Sequence, residues 1–194
     1  MEEKSSVLLK ETMECVKKRG FDVAYASSAK EALEIVMNEV RLSANVGWGG
    51  SQTLKEIGVK EAASTSGVEV REYRNDCDLF LLSANAVTKD GRIVNIDGRG
   101  NRVASSICGP RRVVYVIGRN KLVDGGLDEA VARIKKFACA PNCRRLGKNT
   151  PCAATGVCTD CDSPDRICKV MAVFERRPTG VSALAVFVDE DLGY

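Results

Sequence analysis

Polar side chains that make directional hydrogen bonds crowd the stretch from Ser83 to Arg102. These side chains are Asn85, Asn95, Asp97, Asn101 and Arg102. The glycines among them allow another group to approach the backbone closely. An ordinary apolar core is not built from such residues, so we predict that this stretch forms the floor of a small-molecule site.

Two residues of this stretch are the candidate catalytic groups. Asp97 could act as an acid or base, or it could orient Arg102. Arg102, together with Arg99, could pair with a substrate carboxylate in bidentate fashion. The sequence leaves the choice between these roles open.

A second glycine-rich run, GWGGSQTL, stands between a predicted strand and a predicted helix. At such a turn, backbone N–H groups and the helix dipole favour an anion. We therefore interpret Gly47, Gly49, Gly50 and Ser51 as a candidate anion-binding loop. The alternative is a glycine-rich turn shaped for packing.

Four cysteines near the C-terminus, Cys152, Cys158, Cys161 and Cys168, have a spacing that suggests one metal site. Thiolates suit either an iron–sulfur cluster or zinc, and the sequence does not decide between them. The alternative is free reduced thiols or regulatory disulfides. Cys139 and Cys143 form a further pair whose role, as added ligands or otherwise, stays open.

The complete absence of histidine narrows the chemistry. It excludes Ser-His-Asp and Cys-His catalysis within the chain, and it excludes His-ligated zinc or haem. Any general acid or base must be a carboxylate, Lys, Tyr or Cys.

Composition and length favour one globular domain over residues 1–194, with a cysteine-rich segment at 139–168. Of the 194 residues, 44% are hydrophobic and 28% are charged. The net charge of +3 is too small to indicate a nucleic-acid partner. The N-terminus does not resemble a signal peptide, and no apolar run is long enough to span a membrane. We therefore predict a cytoplasmic protein with reduced thiols.

Strand and helix patterns alternate along the chain, which predicts an α/β fold with a mostly parallel sheet. The Asp90-Gly91 pair predicts one inserted antiparallel hairpin. Helices are predicted over 7–19, 29–40, 53–57 and 129–138, and strands over 21–26, 43–47, 68–73, 78–88, 91–97, 111–118, 170–175 and 183–188. Residues 100–107 are left as helix or loop, and the cysteine-rich segment is expected to be an insertion or cap.

The chain resembles the lactate-utilisation (LUD, formerly DUF162) domain family. The resemblance rests on SANAVTKDGRIVNIDGRGNRV, CGPRRVVYVIGRNKLV, ARIKKFACAPNCRRL and TPCAATGVCTDC, with GWGGSQTLKEIG upstream and LGY at the end. It implies a fold related to the ribose-5-phosphate isomerase and CoA-transferase group. By resemblance, the positions of interest are Gly49, Gly50, Ser51 and Thr53 in the first loop and Asn85, Asp97, Gly98, Asn101 and Arg102 in the second.

The resemblance also implies a role in a bacterial system that oxidises lactate to pyruvate, whose other subunits carry iron–sulfur clusters. The expected ligand is a small anionic metabolite, and the expected partners are iron–sulfur oxidoreductase subunits. One alternative is a binding module, or an isomerase- or transferase-like enzyme, for a phosphorylated or CoA-linked small acid with structural zinc. Another is a scaffold subunit with a vestigial pocket. The sequence leaves open whether the chain is itself an enzyme and whether it forms a homo-oligomer.

Overall fold

A six-stranded parallel sheet forms the centre of the computed structural model, which describes residues 2–72 and 76–194. In spatial order its strands are β1 (Asp22–Ala26), β10 (Ser182–Val188), β7 (Arg112–Gly118), β4 (Leu79–Leu82), β2 (Asn45–Trp48) and β3 (Glu69–Glu72). Every neighbouring pair runs parallel. Its central strands are almost continuously apolar because both faces of the sheet are covered. The predicted strand over 68–73 matches β3, and Tyr73 lies outside the described residues.

A second, four-stranded sheet packs beside the first. Its order is β8 (Leu122–Val123), β5 (Ala86–Thr88), β6 (Ile93–Asp97) and β9 (Val170–Phe174). The predicted hairpin is present as the antiparallel pair β5 and β6, with Gly91 at a φ of +87° in the turn. The hairpin is therefore part of a separate sheet rather than an insertion at the edge of the parallel one.

The single strand predicted over residues 78–88 is wrong. The run divides at Ser83 into β4, in the parallel sheet, and β5, in the second sheet. The division occurs because the N–H of Asn85 bonds to Val94 O and to the side-chain oxygen of Asn95, which turns the chain towards β6.

Eight α-helices occur in the described residues. They are α1 (Glu2–Lys18), α2 (Ala29–Arg41), α3 (Gln52–Glu56), α4 (Val59–Ser64), α5 (Asn101–Ile107), α6 (Leu127–Arg133), α7 (Ala140–Arg145) and α8 (Pro151–Thr155). A 3-10 turn spans Arg119–Lys121, and a π-helical stretch spans Ile134–Cys139. The stretch over 100–107, left undecided by the sequence, is thus largely helix.

The helix expected to end at residue 138 instead continues through the π-helical stretch into α7. Pro141 suggests a helix end because it has no N–H to donate and its ring crowds the preceding turn. The wider π turn accommodates this proline, and Asn142 Nδ2 donates to the Ala138 carbonyl at 3.0 Å. The first part of the cysteine-rich segment is therefore helical.

The core consists of three interfaces between sheets and helices. One face of the parallel sheet packs on α2, α3 and α4 through residues such as Val36, Leu54 and Val116. The other face packs on α1 and on the second sheet, and the far side of that sheet packs on α6 and the π-helical stretch. The α/β class with a mostly parallel central sheet is confirmed. No helix in the described part of the chain is both long and apolar enough to cross a membrane.

Candidate functional site

A cleft of about 500 Å³ opens between the loop after β2, the start of α5 and the segment that carries the cysteines. Among the described residues, six basic side chains line it, and they are Arg99, Arg102, Arg145, Lys148, Arg166 and Lys169. Three acidic side chains from the same described residues also line it, and they are Glu72, Asp97 and Asp165. The cleft therefore carries an excess of positive charge.

Arg102 lies where the two predicted loops meet. Its Nη2 donates to Asn85 Oδ1 at 3.1 Å and to the carbonyl of Ile96 at 2.9 Å. Its aliphatic stem lies against Gly49, where a Cβ would come within 2.6 Å of Arg102 Cγ. The structure thus brings together Gly49, Asn85 and Arg102, from three separate parts of the sequence.

Asp97 holds the N-terminal end of α5. Its carboxylate accepts hydrogen bonds from the backbone N–H groups of Arg99, Arg102 and Val103 at 3.1–3.3 Å. Arg102 Nε is a further 3.8 Å from it. In this geometry the Asp97 carboxylate is engaged by the backbone of α5 and lies beside the Arg102 side chain.

The other residues of the predicted loops differ in their positions. Gly98, Asn101, Asn85 and Gly50 line the cleft. Gly98 also allows a close approach, because a Cβ there would lie 3.1 Å from Ile167 O. Gly47 is part of β2, and the Gly49 N–H is bonded to Leu81 O. Ser51 caps α3 by accepting from the Leu54 N–H at 3.3 Å.

A smaller chamber adjoins the cleft at the carboxyl ends of β2, β4, β7 and β10. Its polar lining includes Ser51, Thr53, Ser83, Asn85, Arg102 and Lys121. The cleft and the chamber share Gly50, Asn85, Arg102 and Asn142, so they are continuous. In open parallel sheets this edge is where ligands bind.

Lys121 is the residue that the sequence interpretation missed. It is 3% exposed, and its Nζ donates to Thr53 Oγ1 at 2.5 Å and to Ser83 Oγ at 2.7 Å. Burial, with smaller contributions from Arg133 and Arg102, lowers the pKa of Lys121 to about 7. A lone lysine in the turn between β7 and β8 gives no sequence signal of this, because its burial depends on Thr53 and Ser83, far away in the chain.

The cysteines of the predicted metal site do not form a ligand cluster here. Among the described residues, no three Cys, Asp or Glu side chains are grouped so as to hold a metal ion. Cys152 Sγ does lie 3.7 Å from Cys143 Sγ, and both thiols are buried. Burial, reinforced by the neighbouring thiols, raises the pKa of Cys139 to about 12. The present arrangement fits a pair of ligands but not a complete metal site.

The cysteine-rich segment nevertheless borders the cleft. The Lys169 N–H donates to the Asp97 carbonyl at 3.0 Å, and Ile167 lies against Gly98. Cys139, Asn142 and Arg166 contribute to the cleft wall. The thiols are therefore neighbours of the candidate site.

Comparisons with known proteins identify the fold and the family of this chain. A crystal structure of a DUF162 family protein from Deinococcus radiodurans superposes with a TM-score of 0.59 at 13% sequence identity. The match covers 95% of this chain and 98% of that one, and it shows a shared fold. No match was found among curated protein sequences. The family model of the LUD domain matches residues 9–187, and the chain therefore belongs to the LUD domain family.

Proposed function

We propose that this chain binds a small anionic metabolite in the cleft and acts in the cytoplasm as a component of a system that oxidises lactate to pyruvate. The LUD domain family is associated with lactate utilisation. The observation that carries the proposal is the charge of the cleft, which six basic and three acidic side chains of the described residues line. Guanidinium groups in such a wall recognise carboxylate or phosphate by bidentate hydrogen bonds.

A second candidate ligand is a phosphorylated or CoA-linked small acid. A cleft of about 500 Å³ falls within the range usual for drug-sized ligands and exceeds what a three-carbon acid needs. The basic residues at the outer wall, among them Arg145, Lys148 and Lys169, suit additional phosphate groups.

Isothermal titration calorimetry with four ligands separates these candidates. The ligands are L-lactate, pyruvate, inorganic phosphate and an acyl-CoA. We expect saturable binding of lactate or pyruvate, whereas tight binding of the acyl-CoA alone would favour the second candidate. A protein that binds none of the four but forms a stable complex with iron–sulfur partner subunits would be the scaffold instead.

The variant Arg102→Gln tests whether the cleft is the binding site. Removing a charge-assisted hydrogen bond costs about 1.5–3 kcal/mol, so we expect affinity to fall roughly tenfold to hundredfold. Arg111→Gln is the control because the Arg111 side chain is 85% exposed and precedes β7, at the opposite edge of the sheet. Equal ligand affinity in Arg102→Gln and Arg111→Gln would show that the ligand binds outside the cleft.

The metal site and the iron–sulfur partners remain proposals. Their support is Cys139 in the cleft wall and, in the same cysteine-rich segment, Cys143 and Cys152 with their Sγ atoms 3.7 Å apart. That separation is close to the spacing of two thiolates on one zinc ion, given a Zn–S distance of about 2.3 Å.

Anaerobic purification followed by iron, sulfide and zinc analysis tests the proposed metal. We expect Cys152→Ser to lower the bound metal and Cys108→Ser, at an exposed cysteine, to leave it unchanged. Metal-free wild-type protein would contradict the metal proposal.

A further inference from the structure

The inner chamber is small and polar, and four adjacent parallel strands end around it. Gly50 to Thr53 follow β2, Ser83 to Asn85 follow β4, Lys121 follows β7, and Tyr194 lies beyond β10. Its volume is about 30 Å³, which is room for about two water-sized groups. The two oxygens of one carboxylate match this size, whereas a phosphate group exceeds it.

The hydrogen bonds of Lys121 leave its amine directed at the chamber. Thr53 Oγ1 donates its own proton to Leu192 O, and Ser83 Oγ donates to Ala84 O. Both hydroxyls therefore accept from Lys121 Nζ. A neutral amine has only two N–H groups, and these two acceptors use both of them. A third N–H, present only after protonation, is available to a ligand in the chamber.

The charges that face Lys121 do not neutralise it. Arg102 on α5 and Arg133 on α6 repel a positive charge at Nζ, and among the charged groups that the structure describes Glu56 on α3 favours one. Glu56 itself accepts a hydrogen bond from the Gly193 N–H at 2.6 Å. Among the described residues, no carboxylate lies within ion-pair distance of Lys121 Nζ. An ammonium buried without a counterion is costly, so a ligand that brings a negative charge to Lys121 Nζ would be stabilised there.

We propose that the inner chamber binds the carboxylate head of the ligand against Lys121 Nζ, and that Lys121 takes up one proton as the carboxylate enters. The amine lone pair accepts the proton from solvent, and the new N–H donates to a carboxylate oxygen. The inference rests on the proposed function, since the rest of the ligand occupies the cleft. It adds the chemical class of the head group and assigns its buried partner.

The expected pH dependence follows from linkage. With the pKa of Lys121 near 7 in the empty site, the amine is mostly neutral at pH 8 and mostly charged at pH 6. A carboxylate ligand that raises this pKa therefore takes up roughly 0.9 proton at pH 8 and roughly 0.1 at pH 6. The chain has no histidine, so no imidazole contributes to proton uptake in this range.

Calorimetric titration of the full chain with acetate and with pyruvate measures this uptake from the difference in observed enthalpy between two buffers, Tris and HEPES at pH 8, and Bis-Tris and MES at pH 6. We expect proton uptake at pH 8 that nearly vanishes at pH 6. Sulfate does not titrate between pH 6 and 8, and its four oxygens do not all fit the chamber, so it is expected to bind without proton uptake. Carboxylate binding without proton uptake at pH 8 would overturn the inference, and this measurement needs no variant.

Lys121→Met tests the assignment to this residue. We expect it to lose at least about tenfold in pyruvate affinity at pH 7 and to abolish proton uptake. Lys55→Met is the matched control because Lys55 lies exposed on α3, the helix that carries Thr53. Thermal unfolding checks that both variants are folded.

The outcomes separate the inference from the proposed function. If wild type and Lys121→Met bind pyruvate with equal affinity and equal proton uptake, while Arg102→Gln loses affinity, the chamber inference is wrong and the cleft proposal stands. If wild type binds no carboxylate, the proposed function is wrong and the inference falls with it.

Discussion

Gly49 sets the position of Arg102, because its missing side chain leaves the space that the arginine stem fills. In Gly49→Ala the new Cβ would lie 2.6 Å from Arg102 Cγ and 2.9 Å from Cδ. The arginine must shift, and its hydrogen bonds to Asn85 Oδ1 and Ile96 O lengthen. We expect pyruvate affinity to fall about tenfold, measured by calorimetry.

Gly180→Ala controls for the loss of a glycine as such, since nothing lies within 4 Å of a Cβ at that position. We expect it to leave affinity unchanged. Unchanged affinity in Gly49→Ala would show that the ligand does not depend on the position of Arg102.

Lys121 also makes the stability of the fold depend on pH. Its pKa is about 7 in the folded chain and about 10.4 when unfolded, so the unfolded chain binds more protons between these values. The free energy of unfolding therefore rises with pH across this window, by at most about 1.4 kcal/mol per pH unit. The effect is complete above the unfolded pKa and is lost as pH falls through 7.

Urea unfolding of wild type and Lys121→Met at pH 6, 7.5 and 9 measures this dependence. The difference in unfolding free energy between the two proteins isolates Lys121 from the cysteines, which ionise in both. We expect wild type to gain on the variant mainly between pH 7.5 and 9, with a smaller gain between pH 6 and 7.5. A difference that is constant with pH would contradict the lowered pKa.

Single residues show what the sequence could predict of the site. Asn85, Asp97 and Arg102 were identifiable because polar groups and glycines cluster after a buried strand. Lys121 was not, because its surroundings come from α3 and from the end of β4. The metal-site spacing of Cys152 to Cys168 likewise did not show that Cys143 is the thiol beside Cys152.

At the scale of secondary-structure elements, the turn of the β5–β6 hairpin lies in close contact with α1. A Cβ on Gly91 would lie 2.6 Å from the backbone of Cys15 and Val16, and its φ of +87° already disfavours any other residue. Arg19, just after α1, links the helix to the second sheet, because its side chain donates to Asp90 O at 2.6 Å and to Glu175 O at 2.6 Å. The second sheet is thus held directly on the first helix.

Gly91→Ala should be one of the most destabilising small substitutions in the chain. The positive φ alone costs about 1–2 kcal/mol, and the clash with helix backbone adds about 1–3 kcal/mol. Gly58→Ala separates the two effects, because Gly58 has a φ of +74° and nothing within 4 Å of its Cβ position. Chemical unfolding of both variants gives the comparison. Equal losses would show that α1 moves away from the turn at little cost.

The elements themselves were largely predictable, and the exceptions have local causes. The alternation of strands and helices indicated a parallel α/β sheet. Its continuously apolar strands are typical of parallel strands that are buried on both faces. The alternation did not indicate two sheets, since Leu79 to Leu82 and Ala86 to Thr88 are both fully buried runs. The hydrogen bonds of Asn85 separate the first run, in the parallel sheet, from the second run, in the other sheet. The helix predicted over 129–138 continues into α7 because the π-helical stretch accommodates Pro141.

In the whole molecule, the candidate site exists only where the two sheets and the cysteine-rich segment meet. The parallel sheet contributes the chamber, the second sheet contributes Asn85 and Asp97, and the cysteine-rich segment closes the cleft from the opposite wall. The Lys169 N–H to Asp97 O bond joins two of these walls directly. A ligand that contacts all of them would stabilise them together.

Amide hydrogen exchange with and without saturating pyruvate tests this coupling. Ligand at 100 times its dissociation constant stabilises the bound state by about 2.7 kcal/mol, so amides that open only after release should exchange up to ~100-fold more slowly. We expect such slowing at Arg102 and Val103, whose N–H groups bond to Asp97, and also at Lys169 across the cleft. The Arg177 N–H, bonded to Arg19 O near the surface, should be unaffected. Slowing at Arg102 without slowing at Lys169 would mean that the ligand contacts one wall only, and that the cysteine-rich segment does not take part in binding.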